Sequence, residues 1–350
     1  MSAGQRAERI LYMSGTPLEN KVEEMQFLIR CLQSEIAEQI EGMKQLTQAE
    51  EFRSAIAPVY LRRVKEDVLK ELKKYQNEDG GFGNGLNPDC LTSSSSPAVT
   101  AMACKILYEI GCTESNDIIE AALHYFEKNH FDENTCTWST VIKENNNAPH
   151  GTWWHFEECG NNTWGFNPSM DIAAFMLYWT KKDSKGFRMA SKSFKKGLKR
   201  LYKVHQMDID ELNCYINALT IAKSRQDKFN FDLISMENKI AELGNLAIYS
   251  DSSKWISDFM PQPLDLIDSI NGDNLILYPY IEKKLNENIS LFIDDLHNNG
   301  LRDIPWTWGI DYSDYYEASK NQWKGILALE KVLKCKRLGY VEPYYDTKIA

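Results

Sequence analysis

Apolar residues in this chain recur mostly at three- and four-residue steps, the period that turns one face of an α-helix towards a core. The pattern predicts helices over 97–111, 116–129, 169–181, 209–223, 231–246, 277–297 and 313–335. Near the N-terminus, Val22, Met25, Leu28, Leu32 and Ile36 keep a similar spacing, after a short apolar run at 10–13 that reads as a strand end. Period-two alternation is nearly absent elsewhere, so the chain is expected to be all-α.

The connections between these helices have a composition of their own. Residues 75–89, YQNEDGGFGNGLNPD, hold four glycines and a proline, which fits only a turn-rich loop. Residues 145–168 and 301–313 concentrate tryptophan together with Asp, Glu, Asn and His. Long helices alternating with such connections point to an all-α barrel or solenoid with its loops at one rim.

Composition narrows the class further. Of the 350 residues, 43% are hydrophobic and 26% charged, which excludes a wholly disordered or fibrous chain. The formal charge is −10, and residues 1–75 hold 12 basic and 12 acidic side chains, so the deficit lies entirely in 76–350. No segment is expected to supply the basic field of a nucleic-acid binder. No uncharged run approaches membrane-spanning length and the N-terminus has no apolar stretch of signal-peptide length, so a cytoplasmic protein without a membrane partner is expected. Eight cysteines without a C-x-x-C pair are expected as free thiols in a reducing compartment.

Two stretches resemble known families. Ser14-Gly15-Thr16-Pro17-Leu18-Glu19-Asn20, followed by Pro58-Val59-Tyr60-Leu61-Arg62-Arg63 and Glu66-Asp67-Val68-Leu69, resembles consecutive motifs of the Swi/Snf-type helicase-like ATPases. Thirteen residues before Ser14 leave no room for a phosphate-cradling loop and its acidic partner, so residues 1–64 are read as a truncated fragment without ATPase activity of its own. Here SGTPLEN is expected to serve only as a strand-to-helix turn, with Thr16 or Asn20 as the cap.

Gln76-Asn77-Glu78-Asp79-Gly80-Gly81-Phe82-Gly83 resembles the Q-x-x-D-G-G-[FW] element of the terpenoid cyclase and protein prenyltransferase toroids. The longer run to Asp89, with SSPAVT, PHGTWWHF, WGFNPSMDIAAFMLY and the C-terminal W-x-W, Tyr and WKG, is similar to a bacterial branch of that superfamily without an assigned activity. The resemblance implies an (α/α) toroid over residues 75–345, with residues 65–74 as a junction helix and the N-terminal α/β-derived fragment fused ahead of it. If the junction helix belongs to the toroid, the fusion replaced the helices that precede it in relatives, and the toroid is incomplete. Relatives tend to carry Glu where this chain has Asn87, which puts a carboxylate-pair mechanism in doubt.

The rim loops hold the candidate chemistry. Asp79, Asp89 and Asp303 are the candidate catalytic carboxylates, although Asp79 and Asp89 are equally placed to form turns. Phe82, His150, Trp153, Trp154, Trp164, Trp306 and Trp308 are the candidate substrate-contacting residues, against the alternative that they form core corners and helix staples. His150, His155, Glu157, Glu158 and Cys159 offer metal-ligand chemistry at unconvincing spacing, and no D-x-C occurs, so no metal is expected. Asp208-Ile209-Asp210-Glu211 is the nearest match to the acid motif of the protonating cyclases, but it opens a helix, where Asp208 is expected to cap. The three loops are expected to meet at one mouth, with Pro97 and Pro168 at the first position of the helices they lead into. The expected function is binding of an apolar, isoprenoid-like or a glycan-like small molecule in an aromatic-lined cavity, with catalysis left open and no cofactor. The rivals are an inactive fragment of a DNA-dependent ATPase and a non-catalytic interaction scaffold.

Overall fold

The computed structural model describes residues 65–340 except 159, 161, 259, 268–276, 301, 310 and 311. The chain divides into two compact units, Met1–Val68 and Leu69–Ala350. The helicase-like stretch at 1–64, Cys159 and Asp311 lie outside the described residues.

Ten α-helices, three short 3-10 turns (Lys143–Asn147, Thr152–Trp154 and Pro263–Leu266) and one two-stranded ribbon make up the regular structure of the described residues, so the fold is all-α. The α-helices are α1 (Lys65–Lys73), α2 (Pro97–Glu109), α3 (Asp117–Lys128), α4 (Ser169–Trp179), α5 (Lys185–Lys203), α6 (Ile209–Ser224), α7 (Leu233–Ala247), α8 (Lys254–Ser257), α9 (Tyr278–Asn299) and α10 (Ser313–Arg337). The ribbon pairs β1 (Phe131–Asp132) with β2 (Thr137–Trp138), antiparallel. Seven of these helices fall where the apolar spacing predicts them. α5 lies outside those stretches although its buried Ala190, Phe194, Leu198 and Leu201 keep the same helical step, a signal diluted by eight basic side chains on its other face.

Helices α2 to α7 form two layers in strict alternation. α2, α4 and α6 touch in series, and so do α3, α5 and α7. The first set is the inner one: nine of the eleven residues of α4 and eleven of the sixteen of α6 are buried. A helix apolar on nearly every side has to be enclosed by others, whereas α3 and α5 bury one face and leave the other to water. The core runs from Phe82 and Val99 through Phe126, Trp138, Phe175 and Trp179 to Tyr215 and Leu243, and on to Leu285 near the C-terminal end.

Caps fix where the helices begin. Ser96 accepts a hydrogen bond from the Val99 amide, with Pro97 at the first position of α2 as expected. Pro168 instead stands one residue earlier, at the N-cap of α4, because Ser169 already has helical geometry. Asp208 caps α6 by accepting from the Asp210 amide. Three residues after the cap, Glu211 is buried, receives both Nε and Nη2 of Arg200 at 2.6 and 2.7 Å, and accepts the Phe166 amide at 2.8 Å. The acidic stretch at 208–211 therefore acts as a cap and a loop anchor.

Gly165 is the counterpart of that anchor. Its φ of +62° lies in the left-handed region, and a Cβ there would stand 2.4 Å from Glu211 Oε1. Gly165→Ala should thus lower stability by about 1–3 kcal/mol through strain and displacement of the carboxylate. Urea unfolding checks this, and a midpoint equal to that of the parent chain would contradict it.

Candidate functional site

The Gly-rich loop is held in place by its own polar side chains. Gln76 Nε2 donates to the carbonyls of Gly80 and Ile118, tying the loop to the first turn of α3. Gly80, with φ +89°, sits so close to α3 that a Cβ would stand 2.2 Å from the Ala121 carbonyl oxygen. Asp79 Oδ1 accepts the Gly81 amide at 2.9 Å and the Ser95 hydroxyl at 2.7 Å. Both bonds stabilise the turn, so Asp79 is placed as a turn former. Phe82 is fully enclosed in the main core, where no ligand meets it.

Asp89 stands differently. Asn87 Oδ1 accepts the Asp89 amide at 2.8 Å, closing a short turn, and buries with it. The turn lies against residues 149–151, where the Gly151 amide donates to the Asp89 carbonyl and the Leu91 amide to that of Pro149. From the other side, Trp308 Nε1 and the Ser319 hydroxyl both donate to Asp89 Oδ1, at 2.7 and 2.9 Å. Residues more than 200 positions apart thus converge on one carboxylate that is only 4% exposed.

Two more indoles face this carboxylate. Trp306 and Trp323 pack edge to face at 5.7 Å, and the Nε1 atom of each is buried without a hydrogen-bond partner. Burial pushes the Asp89 pKa above the ordinary Asp value; the hydrogen bonds from Trp308 and Ser319, and to a lesser degree the indole N–H groups of Trp323 and Trp306 that face the carboxylate without a well-formed bond to it, pull it part of the way back. Tyr316, Ser319 and Trp323 stand at steps of three and four on α10, so one helix face meets the loop. The Tyr316 hydroxyl completes the face by donating to the Trp306 carbonyl.

His150 is buried beside Asp89, next to Cys90, whose thiol is pushed up to about 11 by burial and so is no nucleophile at neutral pH. Its Nδ1 is 2.6 Å from the Ala148 carbonyl, which can only accept, so Nδ1 carries a proton. Nε2 meets Nδ1 of the exposed His155 at 3.2 Å, and the His150 ring also touches Tyr312. Among the described residues no group of three or more His, Cys, Asp and Glu could hold a metal ion.

The remaining candidates separate. Trp154 is buried against Trp164, with ring centroids 4.9 Å apart, in a small satellite core with Cys90, Ala98 and Val141, and half-buried Trp153 packs on that core. Asp303 is exposed and pairs with Lys324 at 2.7 Å and Lys320 at 3.5 Å. The Lys324 ammonium, with Lys320, holds its carboxyl below the usual range. Asp89, His150, Trp306 and Trp308 are therefore brought together, while Asp79 and Asp303 are engaged elsewhere. Ser319 and Trp323 were missed because they look like ordinary interior positions of a helix; their spacing from Tyr316 was the available signal. A slot of about 50 Å³ between α8, α9 and α10, lined by Ile256, Phe292, Leu296 and Leu327, contains none of the candidate residues.

Comparison with family models, curated proteins and solved structures finds no match to this chain.

A raised carboxyl pKa has a definite sign in stability. Between the ordinary Asp value of about 3.9 and its raised folded value, the native state binds more protons at Asp89 than the unfolded chain, so stability falls as pH rises through that window. Asp89→Asn removes this contribution. The stability of the parent chain minus that of the variant should decrease with rising pH above about 4, as read from denaturant unfolding at several pH values. A difference that increases with pH would contradict the assignment.

Proposed function

We propose that the protein binds a small molecule with both an apolar face and acceptor oxygens, a glycan-like ligand, where the loops around Asp89 meet. The observation that carries this reading is the cluster of indole N–H groups around a buried carboxylate, of which Trp308 bonds it at 2.7 Å while Trp306 and Trp323 face it without a well-formed hydrogen bond. A buried donor left poorly satisfied loses part of the roughly 1–3 kcal/mol that a missing bond costs, and a hydroxyl or ether oxygen would restore it where a hydrocarbon would not. Half-buried ring faces of Trp153, Trp306 and Trp323 offer the flat apolar contact that such ligands take, and His155 adds an exposed polar group. This favours the glycan-like alternative over the isoprenoid-like one.

The reading is one of binding. Asp79 and Asp303 are committed to a turn and to two lysines, so neither supplies the second carboxyl group that glycoside hydrolysis uses. Asp89 Oδ1 already takes two donors, and its role in this proposal is to orient the three indoles. The two-layer alternation of α2 to α7 supports placing the chain with the (α/α) toroids it resembles. Six cysteines of the described residues are free thiols, which supports a reducing, cytoplasmic setting. Among the described residues no helix is long and apolar enough to cross a membrane.

Thermal shift against oligosaccharides, isoprenoid diphosphates and triterpenes tests the proposal. A ligand at about 100 times its Kd stabilises by about 2.7 kcal/mol. Oligosaccharides should raise the Tm, and Trp306→Ala should weaken that binding by about 1–3 kcal/mol. Trp154→Ala should instead destabilise the unliganded protein by about 3–5 kcal/mol. Stabilisation by isoprenoids and not by oligosaccharides would overturn the ligand class.

A further inference from the structure

Helix α5 carries eight basic side chains and no acidic one, in a chain whose formal charge is −10. Basic charge, in deficit over the chain as a whole, is concentrated locally on this helix. Its apolar face, with Ala190, Phe194, Leu198 and Leu201, is buried against the inner layer, so the helix has no free apolar surface to insert into a bilayer. Arg188, Lys192, Lys195, Lys199 and Lys203 recur at three- and four-residue steps, which places them on one line along the outer side. From Arg188 to Lys203, fifteen steps of about 1.5 Å make that line about 23 Å long.

Little within the protein neutralises this line. Lys192 meets Glu133 at 3.5 Å, both well exposed, and Arg188 turns onto the Asp183 carbonyl. Arg200, off the line, is taken by Glu211. Lys195, Lys196, Lys199 and Lys203 have no ion-pair or hydrogen-bond partner among the described residues and are exposed. Like charges four apart on a helix repel, so the sequence carries a cost that the unbound protein does not recover. The last turn gains from the helix dipole, but that accounts for Arg200 and Lys203 and leaves the middle of the helix unexplained.

The flanks set the width of what could lie here. On one side α3 presents Asp117, Glu120 and Glu127 against the single cation Lys128, and on the other the Glu237 and Glu242 of α7 are paired with Lys223 at 2.6 Å and Lys239 at 2.8 Å. The positive surface is thus one helix wide, about 10–12 Å, between an acidic flank and one whose charges are paired. A duplex or a bilayer would lay negative charge over those flanks as well as over the ridge. A narrow polyanion would not. A nucleic-acid single strand is narrow, but it is usually gripped by stacking aromatics, and the only exposed aromatic on α5 is Tyr202.

We propose that the outer face of α5 docks an acidic polypeptide segment, rich in Asp and Glu, of a partner protein. Carboxylates along such a segment meet the lysine line and relieve its self-repulsion, while the acidic flank on α3 repels polyanions that spread beyond the ridge on that side and the paired flank on α7 offers them nothing. The interaction is electrostatic, salt-sensitive and separate from the Asp89 site.

Fluorescence anisotropy with a labelled oligo-glutamate peptide as the probe tests this on the full chain at low ionic strength. The peptide should bind, with affinity falling as salt is added. Lys192→Glu/Lys195→Glu/Lys199→Glu should weaken it about tenfold or more, whereas Lys283→Glu/Lys284→Glu on α9 should leave it within about twofold. All five lysines are exposed, so thermal melts of both variants should match the parent and keep folding out of the comparison. Absence of peptide binding, or binding indifferent to the α5 charge reversals, would overturn the proposal. Tighter binding of labelled oligothymidylate or of phosphatidylserine vesicles, lost on the same reversals, would overturn it in favour of those partners.

Discussion

One carboxylate joins the two ends of the described fold. Asp89 sits in a tight turn ahead of α2, and its Oδ1 receives donors from Trp308 in the last loop and from Ser319 in the last helix. The last helix depends on such contacts because few of its 25 residues are buried: Ser319, Lys334 and Cys335. Besides Tyr316 and the lysines that meet Asp303, it is tethered towards its C-terminal end by Lys334, whose ammonium donates to the Leu264 carbonyl and whose pKa burial pushes down. Hydrophobic burial assembles the two inner and outer layers, but it is polar contacts at each end that fix where α10 lies.

That division of labour explains what the sequence disclosed. Apolar periodicity reports burial, so it located α2, α3, α4, α6, α7, α9 and α10 to within a few residues. α5 carries the same signal at Ala190, Phe194, Leu198 and Leu201, but its low apolar content among eight basic side chains kept it from standing out. Caps written in local sequence, such as Ser96 before Pro97 and Asp208 before α6, were equally legible. The candidate site was legible only as a set of loops. Which tryptophans pack as core and which meet the carboxylate depends on partners far away in sequence: Trp154 finds Trp164, while Trp308 finds Asp89. Nothing local distinguishes the two, nor marks Glu211, read as one of several helix-opening acids, as the buried anchor of the 164–168 turn.

The same contacts separate the two surfaces on which function is proposed. Around Asp89 the charge is buried and the donors are indoles, an arrangement suited to a small ligand that supplies acceptor oxygens in a confined space. On α5 the charge is exposed, mobile on long side chains and unpaired through the middle of the helix, which suits a long, weakly structured partner met through water. Burial makes the first site specific and costly to disturb, whereas exposure makes the second tunable by salt.

The central claim is that Asp89 and Trp308 are energetically coupled across the fold, and a double-mutant cycle reads that coupling directly. Asp89→Ala, Trp308→Phe and the double variant, compared with the parent chain by denaturant unfolding, isolate the bond, because Phe keeps most of the ring and removes the donor. A hydrogen bond to a charged acceptor predicts a coupling energy of about 1.5–3 kcal/mol. Single-variant losses that add to within about 0.5 kcal/mol would contradict the account.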